Sequence, residues 1–256
     1  MSFHTTEDLQ KTVIPPIGFQ NTGAICYFNS LMQCLLSSPY FIRFVIDKPH
    51  PLFLEFCNDI LNDKWNVLFT TKLLCSLQNF QPNQSSSEYF VLMVDSLSLE
   101  KLFECQYKIT TVCKECHHTK QKIDTTYNIL LNDSFSELMQ TSCELSGVLC
   151  DGCKQKTTLN EHRKIRAVSN VIAISLNKYF SKKVIEYPIN LTLGSFRYRL
   201  KGTVEHYGVL GGGHYVCRVE RGDDHYLIDD TKVNLISKEQ YETCLPETYM
   251  LFYEQL

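Results

Sequence analysis

An α+β fold is what the sequence predicts, and three observations carry the prediction. Apolar residues recur at helical spacing through roughly the first hundred positions. Past Phe103 the chain turns to short runs of β-branched and aromatic residues, and turn residues such as "LGGGH" and "RGDD" separate many of those runs. Helices first and sheet second imply two lobes with a cleft between them.

The elements follow in order. Residues 1 to 16 are polar and end in Pro15-Pro16, a lead-in that is not helical at its end. From Cys26 to Leu36 the apolar positions Phe28, Leu31, Met32, Leu35 and Leu36 fall on one helical face, and "SSPY" closes the element. Further helices are expected over 51–63 and 66–78. In "QPNQSSSEYFVLMVDSLSLEKLF" a serine at 85, 86 or 87 caps the next helix, with Glu88 favourable near its positive end. Strands are expected at "CQYKITTVC", "TTYNILLN", "VIAISLNKYF", "FRYRLKGTVEHYGV", "HYVCRVE", "HYLIDD" and "TYMLFYEQL", with a helix near "SFSELMQTS" interrupting them.

Of the 256 residues 44% are hydrophobic and 21% charged, which supplies one domain of this size with a substantial core. A net charge of -3 without a basic block excludes a phosphate-binding face, so no nucleic-acid partner is expected. No apolar run reaches membrane-helix length, and "MSFHTTEDLQ" has no signal-peptide features; the expectation is an intracellular protein, cytoplasmic or nuclear, monomeric and without a membrane partner.

In such a compartment the 12 cysteines point to metal, redox or catalytic chemistry rather than disulfides. Cys34, Cys57, Cys75, Cys105, Cys143, Cys217 and Cys244 are scattered and read as small core residues. Cys113-Lys114-Glu115-Cys116 and Cys150-Asp151-Gly152-Cys153 are two C-x-x-C knuckles. Meeting from the ends of neighbouring strands, they complete a closed Cys₄ site for a structural Zn²⁺, with Gly152 expected at positive φ in its turn. A redox pair and unrelated buried thiols are the competing readings. His117 and His118 are alternative ligands or plain solvated side chains.

Cys26 stands at a helix start, where partial positive charge lowers a thiol's pKa. His214 follows three glycines and opens an apolar strand. Fifteen residues on, "HYLIDD" ends in Asp229-Asp230, and a hairpin through "ERGDD" returns that end to His214. The hairpin thereby delivers a base and its orienter together, the partners that a thiol nucleophile needs. Taken singly, the same residues read as a buried structural thiol, a turn histidine and a turn-capping aspartate pair.

Further residues resemble the ubiquitin-specific protease family of deubiquitinating cysteine proteases. Its cysteine box, G-L-x-N-x-G-N-T-C-Y-x-N-S-x-L-Q, is similar to "GFQNTGAICYFNSLMQ", with Gly18, Asn21, Gly23, Cys26, Tyr27, Asn29, Ser30 and Gln33 in place. Its histidine box resembles "YRLKGTVEHYGVLGGGHYVCRV" through Tyr198, His206, Gly208, Gly213, His214 and Tyr215, "YLIDD" stands at the family's aspartate, and "YMLFY" at its last strand. The resemblance implies a papain-like fold: a single catalytic domain over 1–256, with a helical thumb to about 105, zinc-bearing β fingers over 106–165 and a β-sheet palm over 166–256. It implies Cys26 as nucleophile, His214 as base and Asp229 as orienter, with Asp230 a second contributor. Asn21 would donate to the oxyanion together with the Cys26 N–H, such donors being worth about 3 kcal/mol.

The implied activity is thiol-dependent hydrolysis after the C-terminal glycine of ubiquitin, with ubiquitin or a ubiquitin-like modifier and its conjugates as partner. Gly211, Gly212 and Gly213 are expected to border a channel for the glycine end. Protease activity on another modifier, or a non-catalytic binding module of the same fold, are the alternatives; a metal-stabilised interaction domain is a third. Two departures bear on substrate. Ala24-Ile25 replaces the common Asn-Thr, and "NQSSSEYF" puts Ser85 where the family's Q-x-D-x-x-E-F box has an aspartate for the modifier's basic tail, an ion pair worth about 1.5–3 kcal/mol when desolvated.

Overall fold

The structure, a computed structural model, describes residues 14–47, 55–56, 85–138, 140–178, 183–209 and 212–256. The helices expected over 51–63 and 66–78 lie outside these residues apart from 55 and 56, as do Cys57, Cys75 and Gly211. Among the described residues the first half carries the helices α1 (Cys26–Leu35), α2 (Pro39–Asp47), α3 (Ser86–Ser96) and α4 (Glu100–Phe103). The "SSPY" stop is also a start. The Ser37 hydroxyl donates to the Gln33 carbonyl at 3.1 Å and relieves an orphan acceptor of α1. Pro39 supplies the first residue of α2, and Ser38 Oγ accepts from the Phe41 N–H at 3.1 Å.

The strands are β1 (Cys105–Cys113), β2 (Thr119–Thr126), β3 (Ile129–Leu131), β4 (Gln140–Leu149), β5 (Lys156–Val168), β6 (Val171–Leu176), β7 (Asn190–Leu193), β8 (Phe196–Val209), β9 (Gly212–Arg221), β10 (Asp224–Asp229), β11 (Lys232–Ile236) and β12 (Thr248–Gln255). A short helix α5 (Lys238–Glu242), started by a Ser237–Gln240 capping box, precedes β12. Two sheets result. One is four-stranded and antiparallel in the order β2-β1-β5-β4; the other is eight-stranded in the order β11-β10-β9-β8-β12-β6-β3, with β7 on β8. Its β3–β6 pair is parallel.

The helix expected near "SFSELMQTS" is reduced to one 3-10 turn, Phe135–Leu138, and the chain then enters β4. Glu137 explains the stop. Its carboxylate accepts the backbone N–H groups of Asn132, Asp133 and Ser134 at 3.0, 2.6 and 3.0 Å, fixing a tight turn in place of a helical one.

The eight-stranded sheet is covered on both faces. On one, every residue of α1 is buried, and Leu31, Met32 and Leu35 pack with Phe90, Met93, Val204, Cys217 and Val219. On the other, Ile174, Leu176, Tyr187, Leu200, Tyr241 and Leu251 form a second core. The four-stranded sheet differs: β2 is exposed along nearly its whole length, and β1 buries Cys105, Ile109 and Cys113 alone.

Candidate functional site

Residues 17–25 reach the head of α1 through a loop built on Asn21. Its amide oxygen accepts the N–H groups of Gly23 at 3.1 Å and Ile25 at 3.2 Å. The turn needs left-handed backbone: Gly23 has φ +135 and Ala24 φ +52. Glycine takes such angles without cost, whereas Ala24 carries a Cβ against a carbonyl oxygen. Ala24→Gly is therefore expected to raise the unfolding free energy by about 0.5–1 kcal/mol, read from the denaturant midpoint. A lower midpoint would show that the loop tolerates the Cβ.

The loop is held against the β10–β11 turn. Phe19 N–H donates to the Asp230 carbonyl at 2.8 Å, and a Cβ on Gly18 would lie 2.4 Å from the Thr231 carbonyl oxygen, so glycine is required there. Asp230 itself sits at φ +49, a conformation that aspartate adopts more readily than most residues. Its carboxylate accepts from Asn21 Nδ2 at 3.1 Å and Asn29 Nδ2 at 2.8 Å. Asn29, one helical turn after Cys26, thus joins the site. Its presence in the cysteine box was the sequence signal, but spacing alone assigned it no task.

The β9–β10 hairpin delivers the other side chains as its arithmetic requires. Cys217 pairs with Ile228, which places His214 and Asp229 diagonally on one face, and His214 Nε2 lies 2.6 Å from Asp229 Oδ1. The ring nitrogen and the carboxylates of Asp229 and Asp230 lie within 4.8 Å of one another. Next along the strand, the Tyr215 backbone N–H donates to the Cys26 sulfur. Cys26, His214, Asp229, Asp230 and Asn21 therefore converge on one end of α1.

The thiol is tuned differently from the helix-start expectation. Burial pushes the Cys26 pKa up; the Tyr215 N–H opposes this, the Asp230 carboxylate adds to it, and the N–H groups of Tyr27 and Cys26 pull it back. Burial outweighs the N–H groups at the helix head, so the thiol's pKa stands above its ordinary value.

Of the glycine stretch, Gly211 lies outside the described residues, a Cβ on Gly212 would meet nothing within 4 Å, and Gly213 departs from expectation. A Cβ on Gly213 would meet His206 Nε2 at 2.4 Å and the Tyr207 carbonyl at 2.6 Å, so this glycine makes room for the His206 ring and not for a passing chain. His206 stacks on Tyr215 at 4.5 Å between centroids, and Tyr249 lies 6.1 Å from Tyr215. The Tyr249 hydroxyl in turn meets Ser85 Oγ at 2.8 Å and Ser87 Oγ at 2.9 Å. Ser85 holds the N-cap position of α3, but its side chain accepts no capping hydrogen bond. The wall running away from His214 is thus aromatic and hydroxylic.

At the far end of the four-stranded sheet the two C-x-x-C knuckles share one design. Cys113 N–H donates to the His118 carbonyl and His117 N–H to the Cys113 carbonyl; Cys150, Gln155 and Lys154 repeat the pattern at 2.9 Å each. N–H groups of Cys116 and Gly152 point at the sulfurs of Cys113 and Cys150. Positive φ falls on His117 (+58) and Lys154 (+59), the residues after each second cysteine, and not on Gly152 as expected. Gly152 is needed for closeness: a Cβ there would lie 2.5 Å from His118 Cβ.

The four sulfurs lie within 4.8 Å of one another, with Cys116 and Cys150 at 3.6 Å. A tetrahedral ion with sulfurs at about 2.3 Å needs them about 3.8 Å apart, so the donor set fits Zn²⁺. Neither His117 nor His118 belongs to the group. Among the scattered cysteines, Cys34, Cys105 and Cys217 are buried as expected and Cys244 is half-buried, but Cys143 is exposed on β4, because that strand has solvent on its faces.

A thiol at a helix head and a histidine–carboxylate pair thus share one end of α1, on an α+β scaffold that also carries four clustered cysteines. The ubiquitin carboxyl-terminal hydrolase family model matches residues 17–253, and the chain belongs to that family. Among curated relatives, the mouse ubiquitin carboxyl-terminal hydrolase 17-like protein B is 24% identical over 94% of this chain and 64% of its own length. Ubiquitin carboxyl-terminal hydrolase 5 of Saccharomyces cerevisiae is 28% identical over 64% of this chain and 26% of its own. The chain thus spans less than two thirds of either relative. Among solved structures, the SAGA Ubp8/Sgf11/Sus1/Sgf73 DUB module bound to ubiquitin aldehyde matches with a TM-score of 0.79 at 20% identity, covering 94% of this chain and 69% of that one. The shared fold is that of a ubiquitin hydrolase domain. Among the described residues no helix is long and apolar enough to cross a membrane.

Proposed function

We propose that the chain is the catalytic domain of a thiol-dependent deubiquitinase, cleaving the isopeptide or peptide bond after the C-terminal glycine of ubiquitin. The observation that carries this reading is the 2.6 Å His214–Asp229 contact on the strand whose next N–H meets the Cys26 sulfur. The Cys26 thiol gives its proton to His214 as sulfur bonds to the scissile carbonyl carbon. Asp229 fixes the ring orientation and stabilises the imidazolium. The carbonyl oxygen becomes an oxyanion, received by Asn21 Nδ2 and the Cys26 backbone N–H. Asn21 gives one amide proton to Asp230, which leaves the second for this task. His214 then protonates the leaving lysine amine as the C–N bond breaks. Water, deprotonated by the same ring, hydrolyses the thioester and restores the thiol.

Zn²⁺ belongs to the same reading. Cys113, Cys116, Cys150 and Cys153 would hold it; four protein sulfurs leave no open position, so the ion would tie two hairpins together. On this reading a helical thumb would run to about 105, fingers over 106–165 and a palm over 166–256, although β3, inside the fingers stretch, pairs with β6 of the palm. Ubiquitin is the proposed partner and the working unit a monomer.

Hydrolysis of ubiquitin carrying a fluorogenic C-terminal amide tests the proposal. The native chain is expected to turn over and Cys26→Ser to be inactive. Equal rates would remove Cys26 from the mechanism.

A further inference from the structure

Arg221, the last residue of β9, is a buried cation that the chemistry above does not use. It is 5% exposed, and among the described residues its guanidinium meets no carboxylate within ion-pair distance. Three of its four hydrogen-bond acceptors lie at the C-terminal turn of α1. Nη2 donates to the Gln33 carbonyl at 2.7 Å and to Gln33 Oε1 at 3.1 Å, and Nη1 donates to Ser37 Oγ and, weakly, to the carbonyl of Glu220 at 3.4 Å. Gln33 passes the link on, since its Nε2 donates to the Ile17 carbonyl at the start of the loop that carries Asn21.

Burying a guanidinium without an anion is costly, and here burial lowers its pKa to about 10. The partial negative charge of a helix C-terminus offsets part of that cost, and the two prongs of the arginine fork divide between Ser37, reached by Nη1, and Gln33, reached by Nη2. The placement is more telling than the energy. β9 touches α1 at both ends: Tyr215 N–H meets the Cys26 sulfur at the head, and Arg221 meets Gln33 and Ser37 at the tail. Ten helical residues span about 15 Å and the six steps from Tyr215 to Arg221 about 20 Å, so this part of β9 is long enough to reach both ends of the helix. Between the anchors the helix is seated directly on the sheet, where a Cβ on Gly202 would fall 2.9 Å from Cys34 Sγ.

We propose that Arg221 is a positioning residue for the thiol chemistry: it pins the tail of α1 to the end of β9 and so sets where Cys26 stands relative to Tyr215 and His214. The proposal rests on the hydrolase reading for its catalytic consequence. A sliding helix moves the sulfur against the base while leaving the substrate-binding surface in place. An error of about 1 Å in such a placement costs on the order of 100-fold in rate.

The test compares the native chain with Arg221→Met and Arg221→Lys in three measurements: kcat and KM on the fluorogenic ubiquitin amide, thermal melting, and site-resolved alkylation of Cys26 by iodoacetamide over a pH series without ubiquitin. Arg221→Met is expected to lower kcat by about 10- to 100-fold with KM little changed, and to shift the Cys26 alkylation profile. Arg221→Lys, which keeps the charge but loses the fork, is expected to recover part of kcat. A lowered melting temperature with kcat and alkylation unchanged would overturn the proposal and leave Arg221 a packing residue. Should Arg221→Met fail to fold, Arg221→Lys decides by the same readouts. If the native chain does not hydrolyse the amide but the alkylation profile still shifts, the hydrolase reading fails and the positioning role stands.

Discussion

His214→Ala is expected to lower kcat/KM on a ubiquitin C-terminal amide by about 10²–10⁴-fold, the usual contribution of a positioned acid–base group. The effect is this large because the thiol is buried and its pKa is raised, so without a proton acceptor the nucleophile stays as a thiol. The two neighbouring aspartates then separate by what each one holds. Asp229 touches the imidazole, so Asp229→Ala frees the ring and is expected to follow His214→Ala within about tenfold. Asp229→Asn keeps an acceptor oxygen for the ring and should lose less. Asp230 accepts instead from Asn21 on one oxygen and Asn29 on the other; an asparagine there turns an NH₂ donor toward one of the two donating amides. Asp230→Asn is therefore expected to lower kcat through a displaced Asn21, with His214 still oriented. Steady-state kinetics on the four variants checks the ranking. An Asp230 variant weaker than Asp229→Ala would show that the ring is oriented by the other carboxylate.

The main candidate residues were legible because each stands where backbone geometry leaves little choice. Cys26 opens a helix whose apolar spacing is unambiguous, and the short "ERGDD" turn forces one hairpin register, which puts Asp229 beside His214. The two C-x-x-C pairs were legible for the same reason, since each closes a hairpin whose flanking strands are adjacent. What escaped was carried by side chains reaching across the fold. Neither the Arg221 link to Gln33 nor the Asn29 link to Asp230 leaves a local trace, because the partners are 188 and 201 positions apart. β2, β4 and β5 were missed because a strand announces itself by one buried face, and "TKQKIDTT" buries neither. α2 leaves no clear signal because "SSPY" reads as an end, although the proline that stops one helix is a favourable first residue of the next.

The same exposure makes the four-stranded sheet the place where metal removal acts. Among the described residues its strands bury only Cys105, Ile109, Cys113 and Glu161, and Cys113 is itself a member of the four-cysteine group, as is the buried Cys150 just after β4. A hydrophobic core of that size holds few residues in place, so the sheet's outer end depends on the sulfurs being bridged. Structural zinc contributes about 10–16 kcal/mol in peptides that fold around it, and several kcal/mol are expected here, where β1 and β5 already pair along their length. Chelation, or Cys150→Ser, is therefore expected to speed amide hydrogen exchange strongly over 106–126 and 140–168. Exchange over 196–255 should change little, because those strands rest on the two cores of the larger sheet. Zinc-loaded protein should lose the same protection as pH falls, since protons compete with the metal for the thiolates. One equivalent of zinc by elemental analysis and a chelator-sensitive exchange pattern confined to the smaller sheet are the expected results. A chain that binds no zinc, or whose exchange is indifferent to chelator, would return the four cysteines to the status of neighbouring thiols.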